Sequence, residues 1–126
     1  MKDIIADTDG ALKAMTRLWS KSLKELRPNS RPMTYQRFKT LRAVWGGAST
    51  VLDIAEAAGS DLSTTAEQLS NLKDGKYVTK NPLNERAFEW KITDYGRKEL
   101  DGMIGVLDMI RGDLFAIFNA RMEKWL

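Results

Sequence analysis

The sequence has no cysteine and no histidine among its 126 residues. The absence of cysteine excludes disulfide bonds, thiolate catalysis and thiol-based redox sensing. The absence of histidine removes the side chain that most often acts as a general base or as a zinc ligand. We also find no cluster of carboxylates with the spacing of a metal site. We therefore expect no catalytic centre, no metal and no other cofactor, and we predict a protein that is not an enzyme.

Long apolar runs are also missing. No stretch approaches the ~18 apolar residues that a membrane-spanning helix needs, and the N-terminus lacks the pattern of a signal peptide. We therefore expect a cytoplasmic protein that does not contact a membrane. The length, with 43% hydrophobic and 29% charged residues, is typical of a single globular domain, which we predict over residues 1–126.

Charge is distributed unevenly along the chain, although the net charge is only +3. Between Lys13 and Arg42 there are nine basic residues and one acid, Glu25. Between Asp53 and Gly75 there are five acidic residues and a single lysine. Four of the nine basic residues recur at helical steps: Lys13, Arg17, Lys21 and Lys24. This basic stripe is interpreted first as a solvated helix surface, with a non-specific phosphate contact as the alternative.

Residues 51–75 have the pattern of two short helices joined by a tight turn. Thr50 lies three residues before Asp53, a pattern that begins a helix. Gly59 can take the left-handed conformation that ends it. A second helix with polar side chains is predicted over residues 62–74 and ends near Gly75.

A two-stranded wing is predicted over residues 77–92. The first strand begins at Tyr77, the turn is placed around Asn81-Pro82, and the second strand covers residues 87–92. The second strand alternates polar and apolar residues, as a half-buried strand does, and its apolar side chains Phe88, Trp90 and Ile92 are expected in the core. Helix, turn, helix and hairpin together form a winged helix-turn-helix, a unit that usually places its second helix in a DNA groove. We predict this core over residues 34–92.

Two helices are predicted before the winged core. An N-terminal helix over residues 10–26 has one apolar face at three- and four-residue steps: Leu12, Met15, Trp19, Leu23 and Leu26. A loop with two prolines follows over residues 27–32, since prolines interrupt a helix. Thr34 then begins a helix that extends to Trp45 and directs four side chains inward: Phe38, Leu41, Val44 and Trp45.

Thr93-Asp94 begins a C-terminal helical stretch over residues 94–125. Apolar residues repeat there at heptad positions: Leu100, Met103, Leu107, Ile110, Leu114 and Ile117. Glycine disfavours helix, so we predict a break into two helices near Gly112-Asp113. Further apolar residues exceed what one small winged domain can cover, namely Met109, Phe115, Phe118, Met122 and Trp125. We therefore predict that the N- and C-terminal helices form a homodimer.

The order and spacing of these elements resemble the MarR family of bacterial transcriptional regulators. The likeness in specific residues covers roughly residues 33–100, and the flanks match in pattern only. The matching segments are Met33–Phe38, Asp53–Glu56, Ser63-Thr64, Ala87 and Ile92–Arg97.

The resemblance implies a mainly α fold with a small β-hairpin wing, and a homodimer that binds a palindromic duplex site. Helix 62–74 would enter the major groove and the wing 77–92 would approach the minor groove. It also implies a small aromatic effector as a partner besides double-stranded DNA. The expected DNA-binding residues are Ser63, Thr64, Thr65, Gln68, Asn71, Lys80, Arg86 and Lys91.

Among these residues, Gln68 and Asn71 could pair with adenine edges, and serine or threonine with bases or phosphate. Lys80 and Lys91 are expected to contact phosphate, and Arg86 to enter the minor groove.

The sequence departs from the family pattern in the recognition helix and at the wing tip. Residues 62–74 contain no arginine and include Glu67, and Asn84 replaces the aspartate that would orient Arg86. A second hypothesis therefore stays open. In it, the chain is a winged-helix module for protein interaction, or an antagonist of another regulator, that has lost sequence-specific DNA binding.

Overall fold

The computed structural model describes residues 3–125 and contains five α-helices and one antiparallel hairpin. The helices are α1 (Ile4–Leu26), α2 (Tyr35–Trp45), α3 (Val51–Ala58), α4 (Leu62–Asp74) and α5 (Asp94–Met122), and the last is followed by a short 3-10 helix (Glu123–Trp125). The strands are β1 (Val78–Pro82) and β2 (Phe88–Ile92). This architecture confirms the predicted mainly α fold with a hairpin wing.

The chain groups into two compact units. One is Gln36–Gly102, and the other combines the segments before and after it, up to Tyr35 and from Met103. The single domain predicted over residues 1–126 stays a prediction, and its ends at 1, 2 and 126 lie outside the described residues. Within the described part of the chain, no helix is both long and apolar enough to cross a membrane.

The helix-turn-helix forms where local capping signals predicted it. The Thr50 hydroxyl accepts a hydrogen bond from the Asp53 amide at 3.2 Å, and Gly59 takes the left-handed conformation at φ 68°. Asp61 caps α4 by accepting from the Thr64 amide at 2.6 Å. Hydrogen bonds from Thr64, first from its backbone, lower the pKa of Asp61. The ionised carboxylate of Asp61 therefore stabilises α4 fully at pH values above the ordinary pKa of aspartate. This stabilisation is lost as the pH falls through the lowered pKa of Asp61.

The interior of Gln36–Gly102 is mainly apolar, with Thr40 and Thr65 as buried polar residues, and each helix and strand of this unit contributes at least one side chain to it. The most deeply buried apolar residues, none more than 2% exposed, are Phe38, Leu41, Ile54, Leu69, Leu72, Val78 and Leu100. Burying each contributes roughly 1.5–3 kcal/mol relative to exposure. Leu69 and Leu72 lie on one side of α4, which leaves the opposite side of that helix to its polar residues.

The end of α4 uses a lysine where glycine is usual. The Tyr77 amide donates to the Leu72 carbonyl and the Lys76 amide to the Lys73 carbonyl, both at 2.9 Å. These are the paired bonds of a Schellman motif. Lys76 carries the left-handed conformation at φ 66°, whereas Gly75 is right-handed. The predicted position of the helix end is confirmed, but the residue that makes the turn is Lys76.

The wing corrects the predicted turn. Pro82 pairs with Phe88 inside the hairpin, so the turn covers residues 83–87 and not Asn81-Pro82. Proline is tolerated because each strand of a two-stranded sheet has an unpaired edge. Phe88 is 44% exposed, against the prediction of core packing, whereas Trp90 is buried. The Trp90 amide donates to the Ser49 carbonyl at 2.8 Å, which fixes the wing beside the start of α3.

The junction between the wing and α5 depends on Thr93 and Gly96. The Thr93 hydroxyl donates to the Lys76 carbonyl at 2.7 Å and accepts from the Gly96 amide at 2.9 Å. The Thr93 amide donates to the Tyr77 carbonyl at 3.0 Å. A Cβ at position 96 would collide with that carbonyl oxygen, so only glycine allows the first turn of α5 to pass this close.

In the other unit, α1 begins earlier than predicted. Asp3 caps the helix by accepting from the Ile5 amide at 2.9 Å, so Gly10 lies inside the helix and does not begin it. The Asp7 carboxylate accepts from the Trp125 indole at 3.0 Å and pairs with Lys124 at 2.7 Å. These contacts come from the far end of the chain, and no local pattern indicates them.

Two further predictions about helices are wrong. Helix α5 continues through Gly112 without the expected break. Trp45 is 47% exposed, although it was expected in the core with Trp19, which is buried and donates to the Met33 carbonyl at 3.1 Å. On the predicted apolar face of α1, Trp19 and Leu23 are buried, but Leu12 is 52% and Leu26 45% exposed.

We expect Gly96→Ala to lower the free energy of unfolding by about 3 kcal/mol, because the added methyl group displaces the Tyr77 backbone. Gly105→Ala is the matched control, since a Cβ there meets no described atom within 4 Å apart from the adjacent residues and backbone of its own helix. Thermal and urea unfolding of both variants check this prediction. Equal stabilities for the two variants would contradict the proposed role of Gly96.

Candidate nucleic-acid interface

Helix α4 has an apolar inner side and a polar outer side. Thr65, Leu69 and Leu72 are buried. The side opposite them is exposed and carries Ser63, Glu67, Ser70 and Asp74. One flank is half-buried and carries Thr64, Gln68 and Asn71. The outer side of the helix therefore presents hydroxyl groups and two carboxylates to solvent.

Thr65 differs from the other predicted DNA-binding residues because it is fully buried. Its hydroxyl oxygen has no hydrogen-bond partner among the described residues. The side chain therefore occupies a core position and is not presented to a duplex, which corrects its assignment to the interface. A buried hydroxyl without a partner costs free energy.

Gln68 is held by a residue that the sequence did not indicate. The Nε of Arg37, on α2, donates to the Gln68 side-chain oxygen at 3.0 Å. The two residues are 31 positions apart, and Arg37 stood out only as one of nine basic residues in the N-terminal half. The structure thus places an arginine beside α4, a helix that contains none.

A groove of about 490 Å³ lies between α4, the start of α3 and the wing. Its lining consists of Thr50, Val51, Ala66, Ser70, Lys73, Lys80, Arg86, Ala87, Phe88 and Trp90. Three of these side chains are cationic and none is a carboxylate. The groove is therefore a concentrated positive site beside the outer side of α4. We call it the wing groove.

Lys80 is held over the aromatic side chains of the wing. Its ammonium nitrogen lies 4.3 Å from the centroid of the Phe88 ring and 5.5 Å from that of Trp90. Cation–π contacts of this kind are attractive, and they restrict a side chain that is otherwise flexible. The exposed Phe88 thus contacts a cation of the wing groove.

Lys91 does not join Lys80 and Arg86 in the wing groove. It follows Trp90 in β2, and adjacent residues of a strand point to opposite faces. Its ammonium pairs with the Glu89 carboxylate at 2.9 Å. The hydrogen bond to Glu89, followed by its charge, raises the pKa of Lys91. Lys91 is therefore charged but already paired.

Asn84 orders the backbone at the wing tip. Its side-chain oxygen accepts from the Arg86 amide at 2.9 Å and from the Ala87 amide at 3.0 Å. These bonds close the turn over residues 83–87 in the manner of an Asx turn. Asparagine therefore holds the backbone of the arginine, although it carries no charge to orient the guanidinium.

The unit Gln36–Gly102 has no net charge, since it contains ten basic and ten acidic residues. Its net charge therefore provides no overall attraction for a polyanion such as DNA. Attraction depends on the local arrangement in which Lys73, Lys80 and Arg86 share one groove without a carboxylate.

We expect Thr65→Val to raise the free energy of unfolding by about 1 kcal/mol, because it removes a buried hydroxyl that has no partner. Thr40→Val is the matched control. Thr40 is equally buried, but its hydroxyl donates to the Gln36 carbonyl at 3.0 Å. The control should therefore lose about 1 kcal/mol. Urea unfolding measures both changes, and a loss at Thr65 as large as that at Thr40 would contradict this account.

The sequence matches no protein-family model and no curated protein. Several solved structures share the fold of this chain. Their sequence identity to it is below 20%, which is too low to assign the chain to their family. The structure of BpsR from Bordetella bronchiseptica, determined for the regulation of its DNA binding by 6-hydroxynicotinic acid, aligns with a TM-score of 0.77 at 17% identity. The match covers 90% of this chain and 80% of BpsR.

Two further structures support the same fold. The transcriptional regulator BldR from Sulfolobus solfataricus aligns with a TM-score of 0.70 at 17% identity, over 92% of this chain and 86% of BldR. The apo form of MarR from E. coli aligns with a TM-score of 0.65 at 19% identity, over 95% of this chain and 85% of MarR. The chain therefore has the MarR-type winged-helix fold, as its resemblance in sequence predicted.

Proposed function

We propose that this chain, which folds as a MarR-type winged helix, is a dimeric DNA-binding transcriptional regulator that binds a palindromic duplex site. The observation that carries the proposal is the wing groove, where Lys73, Lys80 and Arg86 lie together beside the outer side of α4. A groove with three cations and no carboxylate suits the backbone of a nucleic acid.

In the proposed complex, α4 (62–74) lies in the major groove and the wing (77–92) approaches the minor groove. A major groove about 12 Å wide admits one α-helix, and the outer side of α4 presents small hydroxyl side chains that allow close approach. Lys73 and Lys80 would contact phosphate on one side of the helix. Arg86, at the exposed tip of the wing, would enter the minor groove.

Homodimer formation through the terminal helices is the second part of the proposal. Large apolar side chains on α1 and α5 are exposed in the single chain, including Ile4, Ile5, Leu12, Met109, Phe115 and Phe118. Met109 is 70% exposed, and Phe115 and Ile5 are each 66% exposed. Apolar surface of this size usually marks an interface. A closed dimer would present two winged units to the two halves of a palindrome.

A small aromatic effector and a cytoplasmic location complete the proposal. Support for the effector comes from BpsR, whose DNA binding is regulated by 6-hydroxynicotinic acid. Titration of the protein–DNA complex with that compound and related aromatic acids tests this part.

The first experiment is a fluorescence-anisotropy titration with random and genomic duplexes at several salt concentrations. Binding that tightens on selected sequences, with a steep salt dependence, would support the proposal. Weak binding that does not depend on sequence and vanishes near physiological salt would contradict it. That result would favour the protein-interaction module, for which the exposed carboxylates of Glu67 and Asp74 on α4 provide an acidic surface.

We expect Lys80→Met to weaken duplex binding and to make it less sensitive to salt. The slope of log K against log salt concentration should become shallower by about 2, since a dimer loses two phosphate contacts and each contributes about 0.9. Lys91→Met is the matched control from the same hairpin. It should change affinity little, because the Lys91 charge is already paired with Glu89. Anisotropy at four salt concentrations measures both slopes. Equal losses for the two variants would contradict the assignment of the wing groove.

We expect Phe115→Asp to convert the dimer to a monomer, because it places a charge in the proposed apolar interface. Phe88→Asp is the matched control, since Phe88 is also exposed but lies in the wing. It should leave the dimer intact and weaken DNA binding, because it removes the aromatic contact of Lys80. Analytical ultracentrifugation and anisotropy distinguish the two effects. A Phe115→Asp variant that sediments like the wild type would contradict the assignment of α5 to the dimer interface.

A further inference from the structure

The hydrogen bond between Arg37 and Gln68 determines what Gln68 can offer to a base. A guanidinium has donors only, so the amide must turn its oxygen towards Arg37, whichever way the two ends of a glutamine are assigned. The observed contact, from Arg37 Nε to Gln68 Oε1 at 3.0 Å, has this orientation. The amide NH2 group is then the part of Gln68 that is directed away from Arg37.

This arrangement changes the pairing expected of a glutamine. A glutamine recognises adenine with both ends of its amide, since the oxygen accepts from the adenine amino group while the NH2 group donates to N7. Here the oxygen already accepts a charge-assisted bond. An adenine amino hydrogen that approaches the same oxygen would therefore come close to the positive charge of the guanidinium. The Arg37–Gln68 pair therefore favours hydrogen-bond acceptors on the edge of the base and disfavours hydrogen-bond donors there.

We propose that Arg37 and Gln68 act as a donor pair that selects guanine over adenine at the base facing Gln68, and that Arg37 is the positioning residue that sets this preference. Guanine presents two acceptors, N7 and O6, in the major groove, whereas adenine presents one acceptor and one donor. The inference rests on the proposed DNA-binding function and assigns a base preference to the same site.

Both residues are built into the fold in a way that supports this role. Gln68 and Arg37 are each half-buried, so the bond between them is partly shielded from water, which strengthens a charge-assisted hydrogen bond. Arg37 precedes the buried Phe38 of α2, and Gln68 precedes the buried Leu69 of α4. Packed neighbours thus hold both ends of the pair.

The test measures base preference rather than total affinity. A duplex selected by the wild-type protein is altered one position at a time, with guanine exchanged for adenine, and the anisotropy of each duplex is titrated. The wild type should show one position per half-site where adenine weakens binding by on the order of tenfold. In Arg37→Met the amide oxygen is released, and the preference at that position should fall below about twofold or reverse towards adenine.

Three comparison variants separate base selection from charge and folding. Arg42→Met removes one exposed cation from the same helix, and it should keep the preference. Gln68→Glu can keep the contact with Arg37 but has no NH2 donor, and it should lose the preference. Arg37→Lys can still donate a hydrogen bond to Gln68 and should retain part of the preference for guanine. Thermal unfolding of each variant establishes that it is folded before binding is compared.

The outcomes distinguish this inference from the function on which it rests. A wild-type protein without sequence-dependent duplex binding would overturn the proposed function. A wild-type protein that selects its sites, together with a folded Arg37→Met variant of unchanged base preference, would overturn the inference alone. Loss of the preference in Arg42→Met to the same extent would also overturn it, because the effect would then be one of charge.

Discussion

The winged unit depends on the junction at which the wing returns to the end of α4. The Thr93 hydroxyl and amide bond to the carbonyls of Lys76 and Tyr77, so one residue joins the end of β2 to the start of β1. Gly96 allows α5 to begin in contact with that backbone. A two-stranded hairpin is marginal by itself. The wing keeps its position because this junction holds the base of the hairpin and the bond from Trp90 to Ser49 holds the middle of β2.

Fixing the wing in this way has an electrostatic consequence for α4. The outer side of the helix carries Glu67 and Asp74, which oppose a polyanion. Lys73, in the last turn of α4, offsets them in part. The other cations lie on neighbouring elements: Arg37 on α2 borders one flank, while Lys80 and Arg86 on the wing border the other. Most of the positive charge therefore lies beside the helix. Its contribution to the proposed DNA binding depends on how rigidly the flanking side chains are held.

Local signals predicted the elements well, and contacts distant in sequence explain the errors. Caps and periodicity placed α3 and α4 correctly because a cap acts within three or four residues. The start of α1 was missed although its cap on Asp3 is local, whereas the contacts of Asp7 with Lys124 and Trp125 lie outside any local window. The burial of Thr65 and the exposure of Phe88 follow from which side of each element faces the core. The Arg37–Gln68 bond joins two helices through tertiary structure, so no spacing rule could indicate it.

The neutral charge of the winged unit makes the proposed dimer necessary for tight binding. Non-specific affinity for a duplex grows with the number of phosphates neutralised, and the wing groove offers only three cations per chain. Two linked units bind with an effective concentration that a single unit lacks. The apolar side chains exposed on α1 and α5 would supply the free energy for this linkage if they are buried in the proposed dimer. Duplex affinity should therefore rise with protein concentration as the dimer forms, since the exposed apolar surface and the sparse positive charge act together.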